Sequence, residues 1–187
     1  KAFETNFTRA DLRGANLHWF CFNGAIWTDA KLDAKWQKVV ELINNGISPD
    51  QDLRGYDLSH VCLQNGEYNI GQAANLSGVN LQGVNLSESY LFGADLEGAN
   101  FSGSNAQGVE LAEADLKFAD FTDANLQNSN LWQANAEGAN FTGADLRGAE
   151  MFRFCFLNAI FADAILDEKW ATIIRLTGTG MKLQTDM

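Results

Sequence analysis

From Leu76 to Leu166 a large apolar residue, or an alanine in its place, falls at every fifth position. The series runs Leu76, Leu81, Leu86, Leu91, Leu96, Phe101, Ala106 and on through Phe156 and Phe161, nineteen centres in one register. Two residues before each centre stands a small residue, such as Ala74, Val79, Ser89 or Ala94; Phe154 is the large exception. Asn or Asp directly precedes most centres, and Gly often follows two residues later. A period of five matches neither the 3.6 of a helix nor the 2 of a strand. Two inward positions per unit demand a corner in every unit, built from Gly, Asn, Asp or Ser at turn conformations. Four corners close a square coil of about 20 residues, and coils stack at about 4.8 Å, the spacing of paired strands. The second inward position must be small because two side chains per side share one narrow bore.

Two shorter series use other phases. Phe7, Leu12, Leu17, Phe22, Trp27 and Leu32 form six units; Leu53, Leu58, Leu63 and Tyr68 form four. The step from Tyr68 to Leu76 leaves three extra residues, expected to bulge near 69–73. A longer duplication overlies these units. The stretch FCFNGAIWTDAKLDAKWQKVVELINNG at 20–46 matches FCFLNAIFADAILDEKWATIIRLTGTG at 154–180. In each copy a coil end runs into a helical pattern. Trp36, Val39, Val40 and Ile43 form the apolar stripe of the first, and Trp170, Ile173 and Ile174 that of the second. Asp33 and Asp167 are expected to cap the starts, Gly46 and Gly178 the ends. Each helix is expected to cover an otherwise open strand edge. Phe20 with Phe22, and Phe154 with Phe156, widen the bore beside it. The predicted organisation is a short N-terminal array over 1–34, a helix over 33–46 with a linker to 50, a main array over 51–168, a capping helix over 167–178 and a tail over 179–187.

The units ANLSG (74–78), ADLEG (94–98), ANFSG (99–103), ANFTG (139–143) and ADLRG (144–148) resemble the pentapeptide repeat family, whose consensus is close to A(N/D)LxG. The resemblance implies an all-β solenoid, a right-handed quadrilateral β-helix, with a short α-helix after each array. The array-then-helix unit is similar to an arrangement in many cyanobacterial members.

Composition then narrows the function. No apolar stretch approaches the length of a membrane-spanning helix. The chain starts at Lys1, which suggests a removed leader or a piece of something longer. Cys21, Cys62 and Cys155 are too few for a disulfide scaffold and fit a reducing compartment; a removed leader would instead allow a periplasm or a thylakoid lumen. His18 lies near Cys21 and His60 near Cys62, but no Cys-x-x-Cys pair accompanies them, so no metal or cofactor site is expected. The Asn/Asp position reads as turn chemistry and not as calcium ligands. Nothing local marks a nucleophile, and a filled solenoid offers no interior pocket, so an enzyme is not expected.

Net charge is −11 and uneven. Between Arg54 and Arg147 stand twelve acids and one base, Lys117, a segment expected to repel nucleic acid. Sorting the main array by its four faces exposes a sharper signal. Just after the centre, one face carries Phe92, Ala112, Trp132 and Phe152, with Tyr90 beside them; the other faces carry Glu97, Lys117, Glu137, or Gln82, Ser102, Thr122, Thr142, or Ser87, Gln107, Gln127, Arg147. Tyr90, Phe92, Trp132 and Phe152 therefore form a candidate interaction strip, to be covered within the chain, by a protein partner or by self-association. Two functions compete. One is a non-enzymatic scaffold that presents rigid faces to a protein. The other is DNA mimicry: some pentapeptide repeat proteins bind DNA gyrase, and the acidic rod suggests the same surface.

Overall fold

The computed structural model describes residues 5–20, 25–45, 47–48, 51–63 and 74–177. From residue 74 onward the backbone winds as a coil that returns to itself every 20 residues. Parallel bridges join Asn75 to Asp95, Asp95 to Asp115 and Asp115 to Asn135, and three further columns repeat the step. The bridge residue is the one before each centre, Asn or Asp in most units, and the reason lies in its backbone and side chain together.

In the unit 94–98 every N–H has an acceptor. Ala94 N–H closes a corner onto the Leu91 carbonyl (3.1 Å), and Asp95 N–H reaches back one coil to Ala74 (2.9 Å). Leu96 and Gly98 reach forward one coil to Asp115 and Lys117 (2.8 Å each). The remaining donor, Glu97 N–H, is taken by the unit's own Asp95 Oδ1 (3.2 Å). The Asx side chain thus supplies the acceptor that the ladder cannot, which matters because an unpaired backbone donor is costly. Some Asn side chains also bridge coils: Asn105 Nδ2 donates to Asn85 Oδ1 (3.1 Å) and Asn125 Nδ2 to Asn105 Oδ1 (3.2 Å).

The residue two after each centre turns the corner with positive φ, as at Gly98 (φ 67°). Non-glycine residues also occupy this site, among them Phe118 (φ 57°) and Asp123 (φ 55°). Their side chains lean over the glycine one coil later: the Phe118 ring lies against Gly138, where a Cβ would come within 2.7 Å of it. A bulky corner residue is therefore accommodated by a bare one above it.

Inside, the centres and their small partners are almost fully buried from Leu76 to Phe161, except Phe156, which is half-buried. One column is aromatic: Phe101, Phe121, Phe141 and Phe161 stack with centroids 4.6, 5.0 and 5.0 Å apart. Each such ring contributes roughly 1.5–3 kcal/mol by leaving water.

The N-terminal array forms its own short stack, with bridges Asn6 to Ile26 and Asp11 to Lys31. Phe22 lies outside the described residues. Helix α1, Ala34–Asn45, follows it, and helix α2, Glu168–Thr177, follows the main array. Trp36, Val39 and Val40 of α1 are buried and Ile43 half-buried; Ile174 of α2 is buried, while Trp170 and Ile173 are half-buried. Leu42, outside the expected stripe, is also buried. The carboxylates of Asp33 and Asp167 do something other than the expected capping. Each reaches back one coil to accept from a glycine N–H, Gly14 and Gly148 respectively, at 2.9 Å in both copies. Their carbonyls take the first helical bonds, from Gln37 and from Ala171. Gly46 and Gly178 lie outside the described residues.

The first coil of the main array pairs across a longer step. Asp52 bridges Asn80, Asp57 bridges Asn85 and Cys62 bridges Tyr90, each 28 residues apart, not 20. The fourth side of that coil is accordingly the unit of Leu76. The expected Tyr68 unit and the bulge at 69–73 lie outside the described residues, but the stacking places eight extra residues in this coil where the spacing suggested three.

Candidate functional site

The aromatic strip lies on the face whose bridge column is Cys62, Tyr90, Glu110, Asn130 and Glu150. Tyr90 and Phe92 are half-buried, with rings stacked at 6.2 Å. Ala112 is buried, Trp132 is half-buried, and Phe152 is 56% exposed. Arg153 lies over the Phe152 ring, 5.5 Å from its centroid. Trp132 borders a shallow hollow of about 400 Å³ with Asn128, Ser129, Asn130, Gly148 and Glu150. Burial raises the Tyr90 phenol above its ordinary pKa, with the Glu110 charge adding to it. The face joins these apolar rings to the carboxylates of Glu110, Glu113 and Glu150.

The face sort used only the residue after each centre, and so missed others. Phe118, at a corner of the face of Glu97, Lys117 and Glu137, is 61% exposed. Sorting the corner column would have found it. In the last coil the Asn/Asp column turns apolar, with Ile160 and Ile165 exposed where Asn140 and Asp145 stand below.

The acids are distributed round the rod. Asp120 and Asp123 lie on one face, Glu88 and Asp145 on the second, Glu110, Glu113 and Glu150 on the third, and Asp95, Glu97, Asp115 and Glu137 on the fourth. Several are locally neutralised. Lys117 pairs with Asp115 (2.7 Å), and Arg147 pairs with Asp145, whose carboxyl is held below its ordinary pKa chiefly by that guanidinium.

The two histidines meet where the N-terminal array joins the main one. Their rings stack at 4.1 Å, and His60 Nδ1 faces Glu88 Oε2 at 3.2 Å. Desolvation lowers the His18 pKa below its ordinary 6.5, and the His60 and Lys35 charges push the same way. The folded chain therefore binds this proton less readily than the unfolded one. The contribution to stability is complete above pH about 6.5 and declines as pH falls below that value. Melting followed between pH 8 and 5 is expected to show this acid-side loss, reduced in His18→Gln. Cys62 is disulfide-bonded, contrary to the expectation of reduced thiols; Cys155 is a free, exposed thiol. Among the described residues no cluster of His, Cys, Asp or Glu is placed to hold a metal ion, and no helix is long and apolar enough to cross a membrane.

The profile of pentapeptide repeats matches the sequence in eight copies, over residues 4–26, 72–108, 89–128 and 119–156. The chain is a pentapeptide repeat protein. Among solved structures this repeat protein is similar to the pentapeptide repeat protein Rfr23 of the cyanobacterium Cyanothece 51142, with 24% identity, 72% of this chain and 97% of that chain covered, and a TM-score of 0.52. HetL of the cyanobacterium Nostoc sp. strain PCC 7120, a pentapeptide repeat protein involved in heterocyst differentiation regulation, shares 24% identity over 68% of this chain and 52% of its own, with a TM-score of 0.42. The plasmid-mediated fluoroquinolone resistance protein QnrB1 shares 16% identity over 98% of this chain and 94% of its own, with a TM-score of 0.27. No curated protein sequence matches the chain. The first likeness supports the fold of this pentapeptide repeat protein and leaves its partner to be argued from its own surface.

Proposed function

We propose that this protein is a non-enzymatic interaction module that presents one rigid face to a protein partner, with Tyr90, Phe92, Trp132 and Phe152 as the contact strip. We also infer that its coil is right-handed, as the family resemblance implies. One observation carries the functional reading. Of the four columns that follow the centres, only this one is apolar, and the stacking holds its members in line on successive coils. Large aromatic residues in a fixed row are the usual anchors of protein contacts. The rod supplies rigidity, because each coil is tied to the next by backbone bonds on all four sides. Trp132→Asp is expected to abolish capture of the partner from the source cell while leaving the melting temperature within a few degrees. Capture unchanged by this variant would remove the strip from the reading.

The second reading, a gyrase-binding DNA mimic, is favoured by the twelve acids set against Lys117. A duplex mimic needs its charge in two continuous rows, and here the acids occupy all four faces, several of them paired with bases. We therefore place it second. Purified gyrase in a supercoiling assay is expected to be unaffected by micromolar protein; inhibition would reverse the order.

A further inference from the structure

Three of the four rings in the side-face strip already have a partner within the chain. Tyr90 and Phe92 stack on each other at 6.2 Å. Phe152 carries the Arg153 guanidinium, 5.5 Å from its centroid. Trp132 bears neither a ring nor a cation among the described residues. Its indole borders the hollow of about 400 Å³ with Asn128, Ser129, Asn130, Gly148 and Glu150.

The polar groups round this hollow are engaged unevenly. Asn130 Nδ2 donates to both oxygens of Glu110 (2.9 and 3.0 Å), and Asn130 Oδ1 accepts from Trp132 N–H (3.0 Å). Glu110 Oε1 also accepts from Ala112 N–H (3.2 Å). Arg147, beside Gly148, pairs with Asp145 on the neighbouring face. Glu150 stands one coil above Asn130 in the same bridge column and is exposed, yet its carboxylate meets no donor or base among the described residues. The amide oxygen of Asn128 likewise accepts nothing there; it lies over the bare corner at Gly148, where a Cβ would collide with it. Three unengaged groups thus line one hollow: an indole ring, a carboxylate and an amide oxygen.

We propose that this hollow seats an arginine side chain of the protein partner, its guanidinium flat on Trp132 and hydrogen-bonded to Glu150. The chemistry selects the occupant. All three groups favour a cationic donor: the indole through the negative face of its π-system, the carboxylate through its charge, the amide oxygen as an acceptor. A guanidinium is planar, so it can stack on a ring and donate two bonds in its own plane at once, which an ammonium cannot. Charge complementarity agrees. The face carries Glu110, Glu113 and Glu150 against one base, Arg153. That base sits on Phe152, so the chain itself shows a ring of this strip taking a guanidinium. The proposal rests on the side-face reading and names what the partner must bring to it.

Titration of the whole isotope-labelled chain with the peptide acetyl-Gly-Arg-Gly-amide, at constant chloride and near neutral pH, tests the proposal. The reporter is the indole N–H signal of Trp132, identified by its loss in Trp132→Phe. It is expected to move and to saturate in the millimolar range. Glu150→Gln is expected to weaken binding by about three- to fivefold. This variant keeps the coil bond from residue 150 N–H to Ser129 O. Glu113→Gln, a charge change on the same face outside the hollow, is expected to leave binding unchanged. The citrulline counterpart of the peptide, flat but uncharged, is expected to leave the signal still, and the lysine counterpart to bind more weakly. No movement with the arginine peptide, equal binding of either counterpart, or indifference to Glu150→Gln overturns the proposal. A shift produced by maltotriose and not by the arginine peptide also overturns it and makes the hollow a sugar platform. The two readings fail separately. Capture of the partner lost in Trp132→Asp but intact in Glu150→Gln overturns the arginine seat and leaves the strip standing; capture unchanged in both removes both.

Discussion

Phe141→Ala is expected to lower stability by about 3–5 kcal/mol, the cost of deleting a buried aromatic ring from a core that relaxes only in part. Phe141 is fully buried and stacks on Phe121 below and Phe161 above, with Phe154 edge-on at 6.1 Å. Three neighbouring rings lose contacts at once. The backbone leaves little scope for collapse, because the coil ladder fixes the spacing: Phe141 N–H donates to Ile160 O and Ile160 N–H to Ala139 O. Small domains have only about 5–15 kcal/mol in total, so the loss is a large fraction. Urea denaturation followed by intrinsic fluorescence should show it as a lower midpoint. A loss under about 1 kcal/mol would mean that the ring column is a consequence of the repeat and not a source of its stability.

Ala134→Phe is expected to cost about 3 kcal/mol or more, by the opposite route. Ala134 is fully buried at the small inward position. One coil later the same column holds Phe154, the single large residue at any such position in the series from Leu76 to Leu166. Phe154 is tolerated because it stands in the last coil, where no further coil has to stack on it. Ala134 has coils on both sides, bonded through Ala134 O to Cys155 N–H and through the bridge of Asn135. Extra ring volume there must force the coils apart, breaking bonds of 2.7–3.0 Å on that side. Thermal melting should separate this variant clearly from wild type; an unchanged melt would show slack in the bore beside that position.

These two residues show how much of the fold was legible beforehand. The five-residue register names both inward positions, and the structure buries Phe141 and Ala134 as the register requires. Each unit repeats the same local chemistry, so local pattern and global architecture coincide. Where the chain leaves the repeat, the pattern carries less. Leu42 lies off the stripe of Trp36, Val39, Val40 and Ile43, and periodicity reports one face of a helix. Leu42 is buried because α1 is followed by a second array, a tertiary fact absent from the helical wheel. Asp33 and Asp167 stand where helix caps stand, yet their carboxylates turn to glycine donors one coil back, which only three-dimensional stacking brings near. Tyr68 sits five residues after Leu63 and so counts as a unit by spacing, whereas the bridges close that side with Leu76. The side-face strip was visible because columns can be sorted by arithmetic. Phe118 escaped because it occupies a corner, a position the sort left out.

The return of the coil every 20 residues has a consequence for how such a molecule can change over time. Angular position around the axis depends on residue number modulo 20, not on length. Inserting one five-residue unit after Leu126 would swing Trp132 and Phe152 a quarter turn away from Tyr90 and Phe92, while inserting four units would lengthen the rod and keep all of them aligned. The 28-residue first coil follows the same rule in another way: its surplus leaves Asp57 in line with Asn85 and Asn105, so a change of length there is silent to every face above it. Growth by whole turns, or by residues absorbed within a single coil, preserves the compass bearing of each side chain; any other increment rotates one half of the molecule against the other.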